Sequence, residues 1–237
     1  MRKIIWTRSE RDQVADQQLF TDVDRVIWIP CVEMKSLPYE EMKPLGGPCA
    51  FAFTSAQAVE EVQRHPRLLA LLQQAVWVGT FGEKTYQKLR EIEGVAPCWL
   101  AADSAEAFAE RVVQEAGEKA ATWMLPGPTK RAFPLAAYLK QQGWQVREVD
   151  LYETHTQVPA GYDPEAMLVS GAPYALCLAS PSAARGFCHW LPTHFDATRF
   201  QVYVLGESTR QACEERFGAV EVVRPQSLAA LVAASWG

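Results

Sequence analysis

Short apolar runs alternate along this chain with segments whose apolar residues recur at helical spacing, a pattern typical of α/β proteins. The first run, Ile4–Trp6, is followed by a helical pattern over 9–20 and by a second run at Val26–Ile29. Such a β-α-β unit implies a parallel pair of strands with a helical crossover. The alternation then stops over 31–48, where three prolines and two glycines favour a connection.

After this connection the alternation resumes and predicts eight more strands and the helices between them. The strands are predicted at Ala50–Phe53, Val76–Thr80, Ala96–Leu100, Thr122–Leu125, Gln145–Leu151, Tyr174–Leu178, Gln201–Leu205 and Val220–Val223. The helices are predicted over 57–64, 83–91, 104–116, 130–141, 182–191, 207–216 and 227–234. Only three of these strands follow residue 152, so we expect them to form a second sheet with the two strands at the start of the chain.

An internal repeat supports this division. Three pairs of matching segments lie at nearly constant offset: Ser180 is 125 positions after Ser55, Gly206 is 124 after Gly82, and Ser227 is 123 after Ser104. We therefore predict two flavodoxin-like, doubly wound parallel-sheet domains that are interleaved in the chain. One is discontinuous (1–33 plus 157–237) and the other is inserted (36–154). Two crossings, at about 31–38 and 151–159, join them and are expected to lie side by side.

Composition narrows the possible function classes. The net charge of −5 argues against a general nucleic-acid-binding surface. No apolar run is long enough to span a bilayer, and the apolar run after Met1 is too short for a signal peptide. We therefore expect a monomeric protein of the cytoplasm that has no nucleic-acid or membrane partner. The six cysteines form no C-x-x-C pair and the four histidines show no metal-ligand spacing, so reduced thiols and no metal site are expected.

Candidate ligand-binding residues lie at the predicted carboxyl ends of the strands, where parallel α/β sheets bind their ligands. Two explanations remain open for these polar residues. Ser and Thr are preferred helix N-caps in any protein, but the same loops also present backbone N–H groups to a ligand. The segments concerned are Thr7-Arg8, Thr54-Ser55, Gly82–Thr85, Gly127–Arg131, Ser180–Ser182 and Gly206–Thr209.

Basic residues occur at the same junctions. Cations there oppose the helix dipole, so an anionic ligand rich in carboxylates would compensate them. The alternative is that each is solvated or paired with a nearby acid such as Glu83 or Glu207. The basic residues are Arg8, Lys84, Lys130, Arg131 and Arg210.

Nucleotide-binding and hydrolase motifs are missing from the sequence. It contains no G-x-x-x-x-G-K-[ST], no G-x-G-x-x-G and no G-x-S-x-G segment. Tyr152 stands out at the second crossing. It either packs at a strand end, as aromatic residues commonly do, or directs its hydroxyl into a cleft between the two domains.

Taken in order, a set of individually weak motifs resembles the uroporphyrinogen-III synthase family. The matching segments are Thr7-Arg8, Phe53–Val59, Gly82-x-x-Thr85, Leu125-x-Gly127 with Arg131, Val149-x-x-Tyr152-x-Thr154, Ser180–Ala183 and Gly206-x-x-Thr209. The chain departs from the family pattern at Gln57, where Asn is frequent, and at Tyr86 and Arg210, where Ala is frequent. The family's two α/β domains, joined by a two-stranded ladder, agree with the predicted plan.

The resemblance implies an enzyme that cyclises hydroxymethylbilane, a linear tetrapyrrole with eight carboxylates. Water is lost, the last pyrrole ring is inverted through a spiro intermediate, and no metal or organic cofactor is required. Tyr152 is the expected proton donor to the leaving hydroxyl, because a phenol within hydrogen-bond reach can supply a proton in the transition state. The expected substrate-binding residues are Arg8, Thr54, Ser55, Gly82, Lys84, Thr85, Gly127, Arg131, Ser180, Ser182, Gly206 and Thr209.

A different class of protein fits the same pattern. A non-enzymatic two-domain protein or sensor that closes on a small acidic ligand would use the same strand-end loops without needing Tyr152. Extracytoplasmic proteins of that kind need an export signal, which the sequence does not show.

Overall fold

The computed structural model describes residues 3–39, 47–100, 102, 105–116, 122–131, 134–157, 161–168, 172–218, 220–222 and 228–235. Several predicted element and linker ends, at Ser104, Pro159, Val223 and Ser227, lie outside these residues. The chain forms two compact units, one made of Met1–Met34 with Thr154–Gly237 and the other of Lys35–Glu153. In the described part of the chain, no helix is long and apolar enough to cross a membrane.

The first unit is built on a five-stranded parallel sheet. Its strands are β1 (Lys3–Trp6), β2 (Val26–Trp28), β9 (Tyr174–Leu178), β10 (Phe200–Val204) and β11 (Glu221–Val222). They lie in the order β11-β10-β9-β1-β2, and each neighbouring pair is parallel. Counted along the chain within this unit, the order is 2-1-3-4-5, that of flavodoxin-like sheets.

The second unit has the same sheet order in a permuted chain. Its parallel strands are β4 (Cys49–Phe53), β5 (Trp77–Thr80), β6 (Cys98–Trp99), β7 (Thr122–Pro128) and β8 (Gln145–Thr156), and β3 (Val32–Ser36) lies beside β8. The order is β3-β8-β7-β4-β5-β6, so β7 and β8 take the places that β1 and β2 have in the first unit. The predicted fold class is thus confirmed, with one strand more than expected in this sheet.

Helices follow most of the strands. Those of the first unit are α1 (Glu10–Gln17), α7 (Pro164–Met167), α8 (Pro181–Trp190), α9 (Glu207–Gln211), α10 (Glu214–Phe217) and α11 (Leu228–Ser235). Those of the second unit are α2 (Ala56–Gln63), α3 (Pro66–Gln73), α4 (Glu83–Arg90), α5 (Ala105–Ala116) and α6 (Leu135–Gln141).

Alternate residues of the central strands enter different cores, as a sheet covered on both faces requires. In the first unit, Leu176 and Leu178 pack in a cluster with Phe187 of α8. The intervening Ala175 and Cys177 pack in another cluster with Leu231 of α11. Because both faces are buried, β9 reads as a continuous apolar run, and its predicted bounds are correct.

Two predicted helices differ from the structure, and two further elements were not predicted. The helix expected over 130–141 begins only at Leu135, because Pro134 has no N–H and its ring clashes with a preceding helical turn. Consequently Lys130 and Arg131 lie in a loop rather than in a first helical turn. The helix expected over 207–216 is divided by a turn at Cys213. The sequence pattern did not predict α3, which begins with Pro66 at its first position, or the strand β3.

The crossings of the chain between the units fall within β3 and β8. The Leu37 N–H donates to the Leu151 carbonyl at 2.8 Å, and the Gln157 N–H donates to the Cys31 carbonyl at 2.9 Å. Position 37 is therefore opposite 151 and position 31 opposite 157, so the two strands run antiparallel. The predicted loop after Leu151 is instead a continuation of β8 to Thr156.

Helix α8 approaches the first-unit end of this ladder at Gly186. A Cβ added to Gly186 would lie 2.5 Å from the Cys31 carbonyl oxygen and 3.0 Å from the Gln157 carbonyl oxygen. Both neighbours are backbone atoms, and the Cys31 carbonyl oxygen is held by its hydrogen bond from the Gln157 N–H, so there is little freedom for movement. The missing side chain is what lets the helix pack directly on the crossing strands.

We expect Gly186→Ala to destabilise the protein by about 1–3 kcal/mol, as overpacking does in a filled core. Helix propensity alone predicts the opposite sign, a stabilisation of about 0.5–1 kcal/mol. Urea denaturation of the variant and of Arg185→Ala, an exposed change in the same helix, distinguishes the two effects. A Gly186→Ala protein more stable than the parent would show that the close approach carries no strain.

Candidate active site

A cavity of about 310 Å³ lies at the carboxyl edge of the sheet in the second unit. Parallel strands end at the same edge, so the loops after β4, β5 and β7 and the far part of β8 meet there. Most of the lining is apolar, with a few polar groups from strand ends, as small-molecule sites generally are. The lining residues are Ala52, Thr54, Ser55, Phe81, Phe108, Leu125, Pro126, Pro128, Lys130, Arg131, Leu135 and Tyr152.

Tyr152 reaches this cavity because of an irregularity in β8. Gly127 of β7 is paired with Asp150, but the next residue, Pro128, is paired with Tyr152, so Leu151 is an extra residue in β8. In a regular strand Tyr152 would share the face of Asp150, which is exposed. Instead Leu151 and Tyr152 are both buried, with 0% and 5% of their surface exposed. Bulges of this kind redirect side chains next to active sites.

The Tyr152 hydroxyl is hydrogen-bonded to the Ser55 hydroxyl at 3.0 Å. Ser55 is also the N-cap of α2, since its Oγ accepts from the Ala58 N–H at 3.1 Å. Either hydroxyl can be the donor in this contact; when Ser55 donates, the Tyr152 oxygen accepts its proton. This arrangement leaves the phenol proton of Tyr152 for a group in the cavity.

Burial raises the pKa of the Tyr152 phenol above its usual range, since the phenolate would lose its solvation. The hydrogen bond from Ser55 and the positive charge of Arg131 oppose this rise, and the carboxylate of Glu61 adds to it. The phenol therefore remains protonated over the whole physiological pH range, the state that a proton donor needs.

Arg131 lines the cavity from the loop after β7, and acidic residues hold it. Its Nη1 contacts Asp150 Oδ1 at 2.7 Å and its Nε lies 3.4 Å from Glu148 Oε1. Its Nη2 donates to the Leu125 carbonyl at 3.2 Å. Gly127 lies against the guanidinium, because a Cβ added there would be 3.6 Å from the Arg131 Nε. The expected basic residue is thus present at the site, but as a partly compensated charge.

Thr54, Ser55, Arg131 and Tyr152 therefore meet at one cavity, with Gly127 beside Arg131. The other residues predicted for this sheet lie at the neighbouring strand end, outside the cavity lining. Gly82 precedes α4, and Lys84 is exposed in its first turn. The side chain of Thr85 is only 4% exposed, which indicates a packing role within the unit.

The predicted residues of the first unit lie at the carboxyl edge of its own sheet, after β1, β9 and β10. Ser180 caps α8 by accepting from the Ala183 N–H at 3.2 Å, in the same way that Ser55 caps α2. Ser182 is half-buried in the first turn of that helix. Gly206 has a φ of +125°, which glycine tolerates, and Thr209 is 2% exposed. Capping and packing thus account for part of the repeated pattern.

Two of the predicted basic residues of this unit are paired. Arg8 contacts Asp12 at 3.0 Å and Asp16 at 2.6 Å. Arg210 contacts Glu207, as the alternative explanation expected, and Glu214 at 2.8 Å. Local acids therefore already compensate both charges.

The sequence pattern did not predict the apolar residues that line the cavity or the acidic residues that contact Arg131. Phe81 and Phe108 stack edge to face with ring centroids 5.4 Å apart. Phe108 occupies an apolar position of a helical pattern, which by itself indicates only burial. Glu148 and Asp150 meet Arg131 through the β7–β8 register, and no spacing along the chain reveals that register.

The thiols provide no competing nucleophile. All six cysteines are free, and four of them are buried. Burial raises the pKa of Cys177 and Cys213 to about 12 and that of Cys188 to about 11. A thiol that stays protonated at neutral pH is a poor nucleophile, so the pair Cys188-His189 has no support as a catalytic site.

Comparison with known proteins supports the family that the sequence motifs resemble. The family model described as uroporphyrinogen-III synthase HemD matches residues 25–230. The chain is similar in fold to the uroporphyrinogen-III synthetase of Helicobacter pylori, with a TM-score of 0.73, 19% identity and coverage of 100% of this chain and 99% of that chain. It is also similar to a mutant uroporphyrinogen III synthase of Thermus thermophilus, with a TM-score of 0.62, 15% identity and coverage of 99% of this chain and 97% of that chain. No curated protein sequence matches significantly.

The environment of Tyr152 predicts that its phenol ionises above the ordinary midpoint of about pH 10. Since the folded-state pKa is raised, the neutral phenol stabilises the fold below that midpoint, and the stabilisation is lost as the pH rises through the folded pKa. Titration of tyrosine labelled with carbon-13 at Cζ, with Tyr152→Phe assigning the resonance, measures this directly. Ser55→Ala should raise the midpoint further, because it removes a hydrogen bond that lowers it. A Tyr152 midpoint at or below the ordinary value would contradict the burial argument.

Proposed function

The chain belongs to the uroporphyrinogen-III synthase family, the cyclising lyases of tetrapyrrole biosynthesis, and we propose that its substrate is hydroxymethylbilane. In this reaction the terminal hydroxyl leaves as water, the last pyrrole ring is inverted through a spiro intermediate, and the macrocycle closes. The observation that carries the proposal is the buried Tyr152, which lines a cavity at a strand-end edge and whose hydroxyl is hydrogen-bonded to Ser55.

The size of the cavity suggests which part of the substrate it receives. Its volume of about 310 Å³ is at the lower end of the range for sites that hold a drug-sized ligand. A linear tetrapyrrole with eight carboxylates is larger than such a ligand, so the cavity takes one end of the chain. We assign it to the ring that carries the hydroxymethyl group, because the phenol must reach the leaving oxygen.

Tyr152 is the proposed proton donor. Hydroxide is a poor leaving group, and transfer of the phenol proton to it as the C–O bond breaks releases neutral water. The phenolate that remains accepts a hydrogen bond from Ser55 and lies in the positive field of Arg131. Phe81 and Phe108 supply an apolar surface for the pyrrole ring and keep bulk water away from the reactive carbon.

The carboxylates of the substrate are assigned to strand-end loops and helix N-termini of each sheet. Backbone N–H groups in such loops bind anions without needing a net positive protein. In the second unit the proposed residues are Thr54, Ser55, Gly82, Lys84, Thr85, Gly127 and Arg131. In the first unit they are Arg8, Ser180, Ser182, Gly206 and Thr209.

We also place the protein in the cytoplasm as a monomer. Six free cysteines, four of them buried, suit a reducing compartment better than an oxidising one.

The decisive measurement is incubation of the protein with hydroxymethylbilane followed by separation of the uroporphyrinogen isomers. We expect the isomer with the inverted ring to exceed the product that forms spontaneously, because only a positioned chain closes at the inverted ring. If only the spontaneous isomer forms, a non-enzymatic binder of acidic ligands becomes the better description of the protein.

Tyr152→Phe should lower kcat about 10²- to 10⁴-fold, the usual contribution of a general acid, and leave the fold intact. Tyr138→Phe is the matched control, since Tyr138 packs against the core that contains the cavity residues Phe108 and Leu125 but does not itself line the cavity. Turnover is measured with both variants, and circular dichroism checks their folding. A Tyr152→Phe enzyme with undiminished kcat would remove the phenol from the mechanism.

A further inference from the structure

The guanidinium of Arg131 folds back along two alternate pairs of the β7–β8 register, on either side of the Pro126–Val149 pair. Leu125 is paired with Glu148, and Gly127 is paired with Asp150. Arg131 contacts three of these residues through hydrogen-bonding atoms and lies over the fourth, Gly127. This side chain is therefore extended along the sheet edge instead of pointing into solvent, and it is only 17% exposed.

The loop that carries Arg131 depends on these contacts for its position. Helix α6 begins four residues later, so no helical hydrogen bond fixes the backbone of Arg131. Earlier in the loop, the Thr129 N–H donates to the Tyr152 carbonyl at 3.1 Å. The strongest side-chain contact is the one with Asp150, at 2.7 Å, compared with 3.4 Å for Glu148.

The contacts leave part of the guanidinium available. It has five N–H groups; Nη1 donates one to Asp150 and Nη2 donates one to the Leu125 carbonyl, while Nε forms a longer ion pair with Glu148. One N–H on each terminal nitrogen has no acceptor among the described residues. Two N–H groups on adjacent nitrogens match the two oxygens of a carboxylate.

We propose that Asp150 is a positioning residue for substrate binding: it holds Arg131 across Gly127 so that the guanidinium offers its two remaining N–H groups to a carboxylate of the tetrapyrrole at the cavity. This inference rests on the proposed function. The extra residue Leu151 makes the arrangement possible, because it turns Tyr152 into the cavity while Asp150 keeps the orientation needed to reach Arg131.

A simpler role for Asp150, charge compensation alone, predicts a change in KM of the opposite sign. If Asp150 only compensates the charge of Arg131, removing its negative charge should favour a substrate that carries eight carboxylates, and KM should fall. If Asp150 positions Arg131, its loss frees the side chain and KM should rise. The sign of the change in KM therefore separates the two roles.

The test is steady-state kinetics of the full chain with hydroxymethylbilane, using Asp150→Asn, Asp150→Glu, Arg131→Ala and the double variant Asp150→Asn with Arg131→Ala. We expect Asp150→Asn to raise KM about 3- to 10-fold, a modest effect because the pair is partly exposed, with a smaller decrease in kcat because the charge of Arg131 also acts on Tyr152. Asp150→Glu should restore KM in part, and the double variant should be no worse than Arg131→Ala alone. Glu91→Gln, an equal loss of charge at an exposed position of the same unit, should leave KM as it is.

Other outcomes show which of two claims is wrong, the positioning role of Asp150 or the binding role of Arg131. If Arg131→Ala raises KM but Asp150→Asn leaves it unchanged or lowers it, the positioning role of Asp150 is wrong and the binding role of Arg131 stands. If Arg131→Ala has no effect on KM, Arg131 does not bind the substrate, and the inference fails with it. Should Asp150→Asn fold poorly, Glu148→Gln replaces it; a smaller rise in KM supports the proposal and a fall overturns it. The inverted isomer made by the parent protein tests the proposed function separately.

Discussion

The extra residue at Leu151 is the constraint on which the candidate site depends. It interrupts the alternation of β8, so that Asp150 is exposed while Leu151 and Tyr152 are both buried. The Leu151 carbonyl accepts the hydrogen bond from Leu37, so the same residue also fixes the second-unit end of the β3–β8 ladder. Burial of the Leu151 side chain, 0% exposed, holds this geometry in place, because a shift of one residue would expose it and reverse every side chain that follows.

The duplicated architecture explains why the two sheet edges are alike but not equivalent. Ser55 and Ser180 follow corresponding strands, β4 and β9, and both cap the helix that comes next. A cap serves the fold itself and is therefore kept in both copies. Tyr152 has no such counterpart: β2, which takes the place of β8 in the first unit, ends at Trp28 and is followed by Ile29-Pro30. The buried phenol thus belongs to one copy, and resemblance between the copies reveals the scaffold but not the proposed proton donor.

What the sequence could predict follows from how each element is stabilised. Strands buried on both faces, such as Tyr174–Leu178, are apolar throughout, and their bounds are recognisable without tertiary information. The strand β3 was missed because three of its five residues are exposed. The beginning of α6 at Leu135 could have been predicted from Pro134, because proline disfavours a helix that continues through the residues before it. The strand pattern predicted Thr54, Ser55 and Arg131 at strand ends, and these residues line the cavity together with Tyr152. The acids that hold Arg131 depend on a register that only the folded sheet defines.

Burial of Tyr152 has opposing consequences for a proton donor. It keeps the phenol protonated, but a higher pKa also makes the phenol a weaker acid toward the leaving hydroxyl. Arg131 and Ser55 act against this second effect, since both stabilise the phenolate that forms as the proton leaves. Their stabilisation is larger in the transition state than in the ground state, where the phenol is neutral, and only such a difference accelerates the reaction. In the proposed mechanism Arg131 therefore contributes to turnover as well as to substrate binding, because its charge stabilises the phenolate that forms as Tyr152 gives up its proton.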